Sequence, residues 1–268
     1  MVDDIRDIAG FYNRDPEQEH QRLAEHQLEY ELTWRILDRY LPASGRLLEV
    51  GAATGVYTLP LAKRGYEITA VDLSQEQIRF GRKRVREAGL SERVQFLVSD
   101  VRFLSLMQQA HYDAVLLMGP LYHLVEYTDR RKALREVFIR VKPGGLIFSA
   151  FISRLGILGD LMKNVPDWIE KQAEVDSLLA RGRDTVKASM NFRGYFVRAS
   201  EIAPLHESVG FENLELVGVE PAISADDESY NRLEGRQREL WLDLMERISG
   251  EVSILGASRH LLYIGKKP

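Results

Sequence analysis

The sequence predicts an α/β fold built on a doubly wound parallel sheet. Three observations carry that reading: short runs of continuously apolar or β-branched residues, amphipathic stretches alternating with them, and a turn of small residues after the first run. Runs of this kind suit strands covered on both faces. Strand and helix in regular alternation mean βαβ units, hence a doubly wound sheet.

The elements follow in order. A helix should start at Asp15-Pro16-Glu17-Gln18, where an Asp cap, a Pro at the first helical position and a Gln three residues after the cap form a capping-box pattern. Leu23, Tyr30, Trp34, Leu37 and Leu41 continue it as one apolar stripe, which Pro42 and Gly45 end. Residues 1–45 are thus expected to form an N-terminal helical arm. The strand runs are Leu47 to Val50, Tyr66 to Val71, Val94 to Val98, Ala114 to Met118 and Leu146 to Phe151. Helical stretches separate them at Tyr57 to Arg64, Gln75 to Ala88 and Arg130 to Val141. Residues 46–151 are the expected core. Two late runs, Leu214 to Val219 and His260 to Ile264, are expected to pair as a hairpin at the sheet edge. The segments 152–198 and 221–256 do not alternate. They carry Trp168, Leu178, Phe192, Tyr195 and Phe196 in the first and Leu233, Leu240, Trp241 and Leu244 in the second, and both read as helical insertions capping the sheet. A single domain over 1–268 with these elaborations is the expected organisation.

Composition narrows the function. The 268 residues carry 36 basic and 40 acidic side chains, a formal net charge of −4, which excludes a strongly basic nucleic-acid binder. The absence of cysteine excludes thiolate metal sites, Cys nucleophiles and disulfide scaffolds, and fits a reducing compartment. Met1 to Gly10 has no apolar signal-peptide core and no stretch approaches the roughly 18 apolar residues of a membrane span. The expectation is a soluble cytoplasmic protein with no membrane partner.

The informative stretch runs from Leu47 to Ser74. A strand carries Glu49, a loop Gly51-Ala52-Ala53-Thr54-Gly55 turns into a helix, and a second strand ends in Asp72, which follows Gly51 by 21 residues. Small residues there let a ligand approach backbone N–H groups at a helix start, and the acid can accept hydrogen bonds from ribose hydroxyls. The ligand is read as a nucleoside. A dinucleotide fingerprint needs further glycines where Ala53 and Val56 stand, and Glu49 would lie close to a pyrophosphate. An amino-acid-bearing nucleoside with a cationic centre suits that carboxylate better.

On these residues the sequence resembles the class I S-adenosylmethionine (SAM) dependent methyltransferases, within them the small-molecule type 11 or UbiE-like group. The resemblance covers roughly Leu47 to Phe151, with weaker support from Gly210 onward. It places the family's first motif on Glu49, Gly51 and Gly55, with Ala53 in place of the middle glycine, and makes Ala52 and Thr54 part of the cofactor loop. It places the ribose acid on Asp72, adenine packing on Leu73, and the acid facing the adenine amino group on Asp100, followed by Val101 and Arg102. Met118-Gly119-Pro120-Leu121-Tyr122-His123 occupies the segment that lines the methyl-transfer site. The turn Lys142-Pro143-Gly144-Gly145 resembles the one before the family's fifth strand. The implied fold is a Rossmann-like seven-stranded sheet with its last strand antiparallel. The implied cofactor is SAM, leaving S-adenosylhomocysteine. The implied arm closes over it, with Tyr12 and Arg22 as candidates to meet the methionine carboxylate.

The sulfonium methyl is already a strong electrophile, so the protein must chiefly hold the acceptor in line with it. A base is needed only for a protonated nucleophile. His123 is the candidate, since it follows the fourth strand at the site mouth and its ordinary pKa near 6.5 suits the task. Tyr122 is the candidate to orient the acceptor. His206 and His260 are weaker candidates, and no metal site is expected.

The expected reaction is methyl transfer to an O, N or C nucleophile of a small molecule, partly apolar or ring-containing, bound under the cap formed by 151–196 and the helix around Trp241. An RNA or protein acceptor, a non-catalytic SAM-binding protein and a nicotinamide-dependent reductase stay open as alternatives. Nucleic acid is not favoured, because the Arg82 to Arg86 run suits a solvated helix face and Met118-Gly119-Pro120-Leu121 replaces the motif of base N-methylation. A homodimer is left open.

Overall fold

In the computed structural model, which describes residues 4–106, 111–183, 193–223 and 225–268, the strands form one sheet in the order β3-β2-β1-β4-β5-β7-β6. These are β1 (Arg46–Val50), β2 (Glu67–Asp72), β3 (Val94–Val98), β4 (Tyr112–Leu117), β5 (Val141–Ile152), β6 (Glu212–Gly218) and β7 (His260–Lys266). β1 pairs in parallel with both β2 and β4, so the direction of winding reverses between them. That switch point opens a crevice at the carboxyl ends of the strands, the usual ligand position in such sheets. β7 runs antiparallel between β5 and β6, so the expected edge hairpin exists as a pair, with β6 at the edge.

The first half carries α1 (Arg6–Tyr12), α2 (Pro16–Glu25), α3 (Gln27–Tyr40), α4 (Thr58–Lys63), α5 (Gln75–Glu87), α6 (Pro120–His123) and α7 (Tyr127–Arg140). The second adds α8 (Ile157–Asn164), α9 (Gln172–Arg181), α10 (Ala199–Glu207), α11 (Asp227–Asn231), α12 (Gly235–Ile248) and α13 (Val252–Leu255). Alternate residues of the central strands feed two buried layers. Leu48, Val50, Val115 and Leu117 face one layer with Leu134, Val137 and Ile202. Leu47, Ala114 and Leu116 face the other with Ile36, Leu37 and Leu61. Full burial of such side chains stabilises by roughly 1.5–3 kcal/mol each, which makes these layers the frame that fixes the strand ends.

The arm departs from expectation in two ways. Asp15 does cap α2 by accepting the Gln18 N–H at 2.9 Å, but the single helix breaks at His26 (φ −88°, ψ 63°). The break is tertiary in origin. Asn231 takes the Glu25 carbonyl at 2.8 Å, and the His26 ring lies 3.1 Å from Asp227 and 2.9 Å from Arg259, partners some 200 residues away. The second departure is α1, which buries Ile8 and begins the arm ahead of the helix start expected at Asp15. Leu23 belongs to the expected stripe, but its side chain lies outside what the structure describes.

The expected turn at Lys142 to Gly145 is absorbed into β5. Register against β4 jumps from Tyr112↔Val141 to Ala114↔Leu146, and Gly144 N–H donates to the Lys267 carbonyl at 2.8 Å. The first insertion packs its own core from Ile152, Ile157, Leu161, Trp168, Leu178 and Phe196. Phe192 lies outside the described residues. In the second insertion, α12 packs Leu242 and Met245 onto Leu28 and Leu32 of α3. That leaves Trp241 on the outer face, 47% exposed, so the helix around it does not roof the crevice. Among the described residues, no helix is long and apolar enough to cross a membrane.

Candidate functional site

The crevice is an open cavity of about 1350 Å³, counted out to its mouth. Its floor is the loop after β1, and its roof is the arm. At the floor, Gly51 is held at φ +80°, and a Cβ on it would lie 2.2 Å from the Met118 carbonyl oxygen and 2.7 Å from Pro120. Only glycine lets the loop cross the end of β4 so closely. Ala53, at the family's middle-glycine position, also takes a positive φ of 45°, which costs about 1 kcal/mol for a residue with a Cβ. The strain serves a bond: Ala53 N–H donates to Asp72 at 2.9 Å, and Ser74 N–H donates to the other carboxylate oxygen at 2.8 Å. Burial nonetheless pushes the Asp72 carboxyl above its ordinary range, with those backbone bonds opposing the rise. Each oxygen keeps a lone pair for a ligand hydroxyl.

Leu73, Ser99, Asp100 and Val101 continue the floor beyond β2 and β3. Asp100 is aimed by Arg102, whose guanidinium bonds it at 2.7 Å and Asp129 at 2.6 Å. Arg102 is thereby consumed in a buried ion-pair cluster behind the wall and does not line the cavity, which corrects its expected contact with cofactor. Thr54 and Gly55 are corrected in the same way. Thr54 is fully buried, with its hydroxyl 2.9 Å from the His20 ring and its carbonyl accepting from Arg84, and Gly55 turns away into α4 against Thr58 and Gly81. Both shape the loop from below. Glu49, Gly51, Ala52 and Ala53 do line the cavity, as do Met118 and Gly119.

Glu49 is 1% exposed and accepts the Thr58 hydroxyl at 2.5 Å. Burial pushes its carboxyl up to about 8 against that bond, and the neighbouring Asp72 adds to the rise. A buried carboxyl without a cation is what a positively charged ligand would relieve.

The roof comes from α1, α2 and α3. Tyr12, Glu19, Arg22, Glu29 and Tyr30 line it, and Arg22 is paired with Glu19 at 2.7 Å. Asn13 clasps the arm to the sheet by accepting the Ser74 hydroxyl at 2.7 Å, and Gln77 donates to the Tyr12 carbonyl at 3.2 Å.

Tyr122 and His123, carried by α6, close the cavity beyond β4. Burial raises the Tyr122 phenol. The His123 ring places Nδ1 at 3.3 Å from the Arg193 carbonyl and Nε2 at 3.0 Å from the Tyr12 hydroxyl. A carbonyl only accepts, so Nδ1 carries the proton and Nε2 accepts from Tyr12. Burial pushes this imidazole down to about 4. It stays neutral, with its lone pair already engaged by the arm. His206 is likewise internal, bonded to the Ile202 carbonyl at 2.8 Å and to Ser149 at 3.0 Å.

His260, by contrast, lines the cavity, and the sequence had ranked it low. Its Nδ1 lies 2.6 Å from Glu220, which is fully buried and held by Arg259. Glu29, Glu220 and Arg259 went unnoticed in the sequence, because they come from α3, the segment after β6 and the residue before β7 and form no local pattern. Glu220 also belongs to two acid–histidine groups of a size to hold an ion, with His26 and Asp227 and with Glu29 and His260. The Arg259 guanidinium sits between Glu220, Asp227 and Asp160 and supplies the cation there.

Residues 47–145 match a family model described as a methyltransferase domain. By that match, this segment is similar to a methyltransferase domain. The domain resembles that of the ubiquinone biosynthesis O-methyltransferase of Nitrosospira multiformis, 27% identical over 68% of this chain and 70% of that protein. The namesake in Xanthomonas axonopodis pv. citri is 32% identical over 43% of this chain and 46% of its own length. The matches to several such relatives span about half of their length. In fold, the chain is similar to a SAM-dependent methyltransferase of Methanosarcina mazei, with a TM-score of 0.60 and 19% identity over 87% of this chain and 96% of that one.

Proposed function

We propose that the protein transfers the methyl group of SAM to a small-molecule acceptor. The observation that carries the reading is the Glu49 to Asp72 unit: a backbone loop bonded to an acid at a strand end, beside a buried carboxyl with no cation paired to it among the described residues. The residues present fit the cofactor. Asp72 would hold the ribose hydroxyls, Leu73 and Val101 the faces of the adenine, and Asp100 its amino group. Gly51, Ala52 and Ala53 would bring backbone to the methionine part, with Glu49 toward its positive charge, Tyr12 and Arg22 above, and Met118 and Gly119 below. When bound, the cofactor supplies an electrophilic methyl.

The chain's own part is to place the acceptor and exclude water. Tyr122 would orient it. His123 would act through Tyr12, whose hydroxyl it accepts, holding the arm shut over the transfer site. The relatives named as O-methyltransferases, together with the Tyr30 and Tyr57 rings, tilted at 31° with centroids 5.6 Å apart at the cavity wall, support a ring-bearing acceptor. An RNA acceptor has no support here, since Arg82 and Arg84 of the basic run donate to the Phe96 and Thr54 carbonyls.

Parallel calorimetric titration with SAM, S-adenosylhomocysteine and NADH tests the reading. Micromolar binding of the first two alone is expected, and preferential NADH binding would overturn it.

A further inference from the structure

The cavity is longer than its nucleoside end needs. Asp72 sits on β2 and His260 on β7, four strands further along the same edge of the sheet, or about 19 Å at a spacing of about 4.8 Å per strand. Both line the cavity. Its far end is walled by Tyr30, Tyr57, Val219 and Leu261, apolar surfaces suited to a ring. Polar groups interrupt them, among them His26, Glu29, Thr33 and His260.

His260 is built as a proton acceptor. Its Nδ1 lies 2.6 Å from Glu220 and 3.3 Å from Glu29, so Nδ1 carries the ring proton. Glu220 is fixed in turn: it takes the Arg259 guanidinium and accepts the His260 backbone N–H at 3.0 Å. Nε2 has no hydrogen-bond partner among the described residues, and His260 is one of the residues that line the cavity. This is the carboxylate–imidazole arrangement in which one nitrogen is oriented by an acid and the other faces the reacting group. His123 differs on each point, with both nitrogens bonded.

We propose that His260, positioned by Glu220, is the general base that takes the proton of an uncharged hydroxyl on a ring-bearing acceptor. The inference rests on the methyl-transfer reading above. The step balances: the acceptor oxygen forms a bond to the methyl carbon as the carbon–sulfur bond breaks, the O–H proton passes to His260 Nε2, and solvent later removes it. Charge supports the assignment. Glu29 from α3, Glu220 after β6, Asp227 from α11 and Asp160 from α8 surround His260 and Arg259, with His26 at a ring-centroid distance of 6.5 Å. Burial lowers the His260 pKa, but Glu29 and Glu220 more than offset it and hold the ring above its ordinary value, in opposition to Arg259. An imidazolium formed there is stabilised, and the same acids disfavour an acceptor carrying its own carboxylate or phosphate.

The test uses p-nitrophenol, whose phenolate is yellow, added to the full chain saturated with S-adenosylhomocysteine at a pH where the free phenol is colourless. The expected result is a phenolate band with wild type that falls at least tenfold in His260→Gln. Glu220→Gln should give an intermediate band and, by NMR, a lowered His260 ring pKa, which a merely structural acid would not produce. Calorimetry with S-adenosylhomocysteine on the same samples shows that the variants fold. No band with wild type, or equal bands with wild type and His260→Gln, would overturn the proposal. Failure of wild type to bind S-adenosylhomocysteine would instead overturn the methyl-transfer reading.

Discussion

Asp72 and Glu49 are carboxyls of one crevice with opposite tasks, and their surroundings separate them. Asp72 already accepts two backbone N–H groups and keeps lone pairs for hydroxyls. Two charge-assisted bonds at about 1.5 kcal/mol each make Asp72→Ala a loss of about 100-fold in SAM affinity. Calorimetry would check this, with circular dichroism showing the fold retained. Glu49, pushed up to about 8, is largely protonated at neutral pH in the empty cavity. A cation beside it lowers that pKa, so SAM binding near pH 7 is expected to release a proton. Titrations in buffers of different ionisation enthalpy count it, and Glu49→Gln should remove it. The linkage has a second consequence. Between the ordinary 4.5 and about 8 the native state binds more protons at Glu49 than the unfolded chain does, so this residue's contribution to ligand-free stability declines as pH rises through that window. That both acids line one crevice was legible in the sequence, because each belongs to a strand of the contiguous Leu47 to Ser74 stretch.

At the scale of elements, the arm decides access. Its capping signal at Asp15 was readable because a cap is a contact three residues long. The break at His26 was not, since the groups that hold it, Asp227, Asn231 and Arg259, arrive from beyond residue 220. The expected base at His123 met the same limit. Its position after β4 was visible, but its pairing with Tyr12 across 111 residues left it a latch with a pKa near 4. Tyr12→Phe removes one buried hydrogen bond of about 1 kcal/mol. The expected outcome is a roughly fivefold faster release of S-adenosylhomocysteine in stopped flow with little change in melting temperature. An unchanged release rate would show that the arm is held by its other contacts, among them those of Asn13 and Gln77.

For the whole molecule, the cofactor should act as a staple between the arm and the strand ends, because residues from both line one cavity. A ligand that binds only the native state at 100 times its dissociation constant adds about 2.7 kcal/mol. At roughly 2–4 °C per kcal/mol for a chain of this size, SAM should raise the melting temperature by about 5–10 °C. NADH should leave it unmoved. A thermal shift assay reads both, and an equal shift from the two nucleotides would contradict the assignment of the loop.

The sequence by itself determined the sheet, the cofactor loop and its two acids, because alternation of apolar runs and the spacing of a loop between two strands are local properties of the chain. Only the tertiary structure decided which side chains line the cavity beyond that loop. It turned Arg102 into a buried ion-pair partner, set Trp241 on the surface, and joined Glu29, Glu220 and His260 at one end of the cavity. Those three lie up to 231 residues apart in sequence. The pairing of β7 between β5 and β6 sets His260 beside Glu220, and α3 brings Glu29 to them.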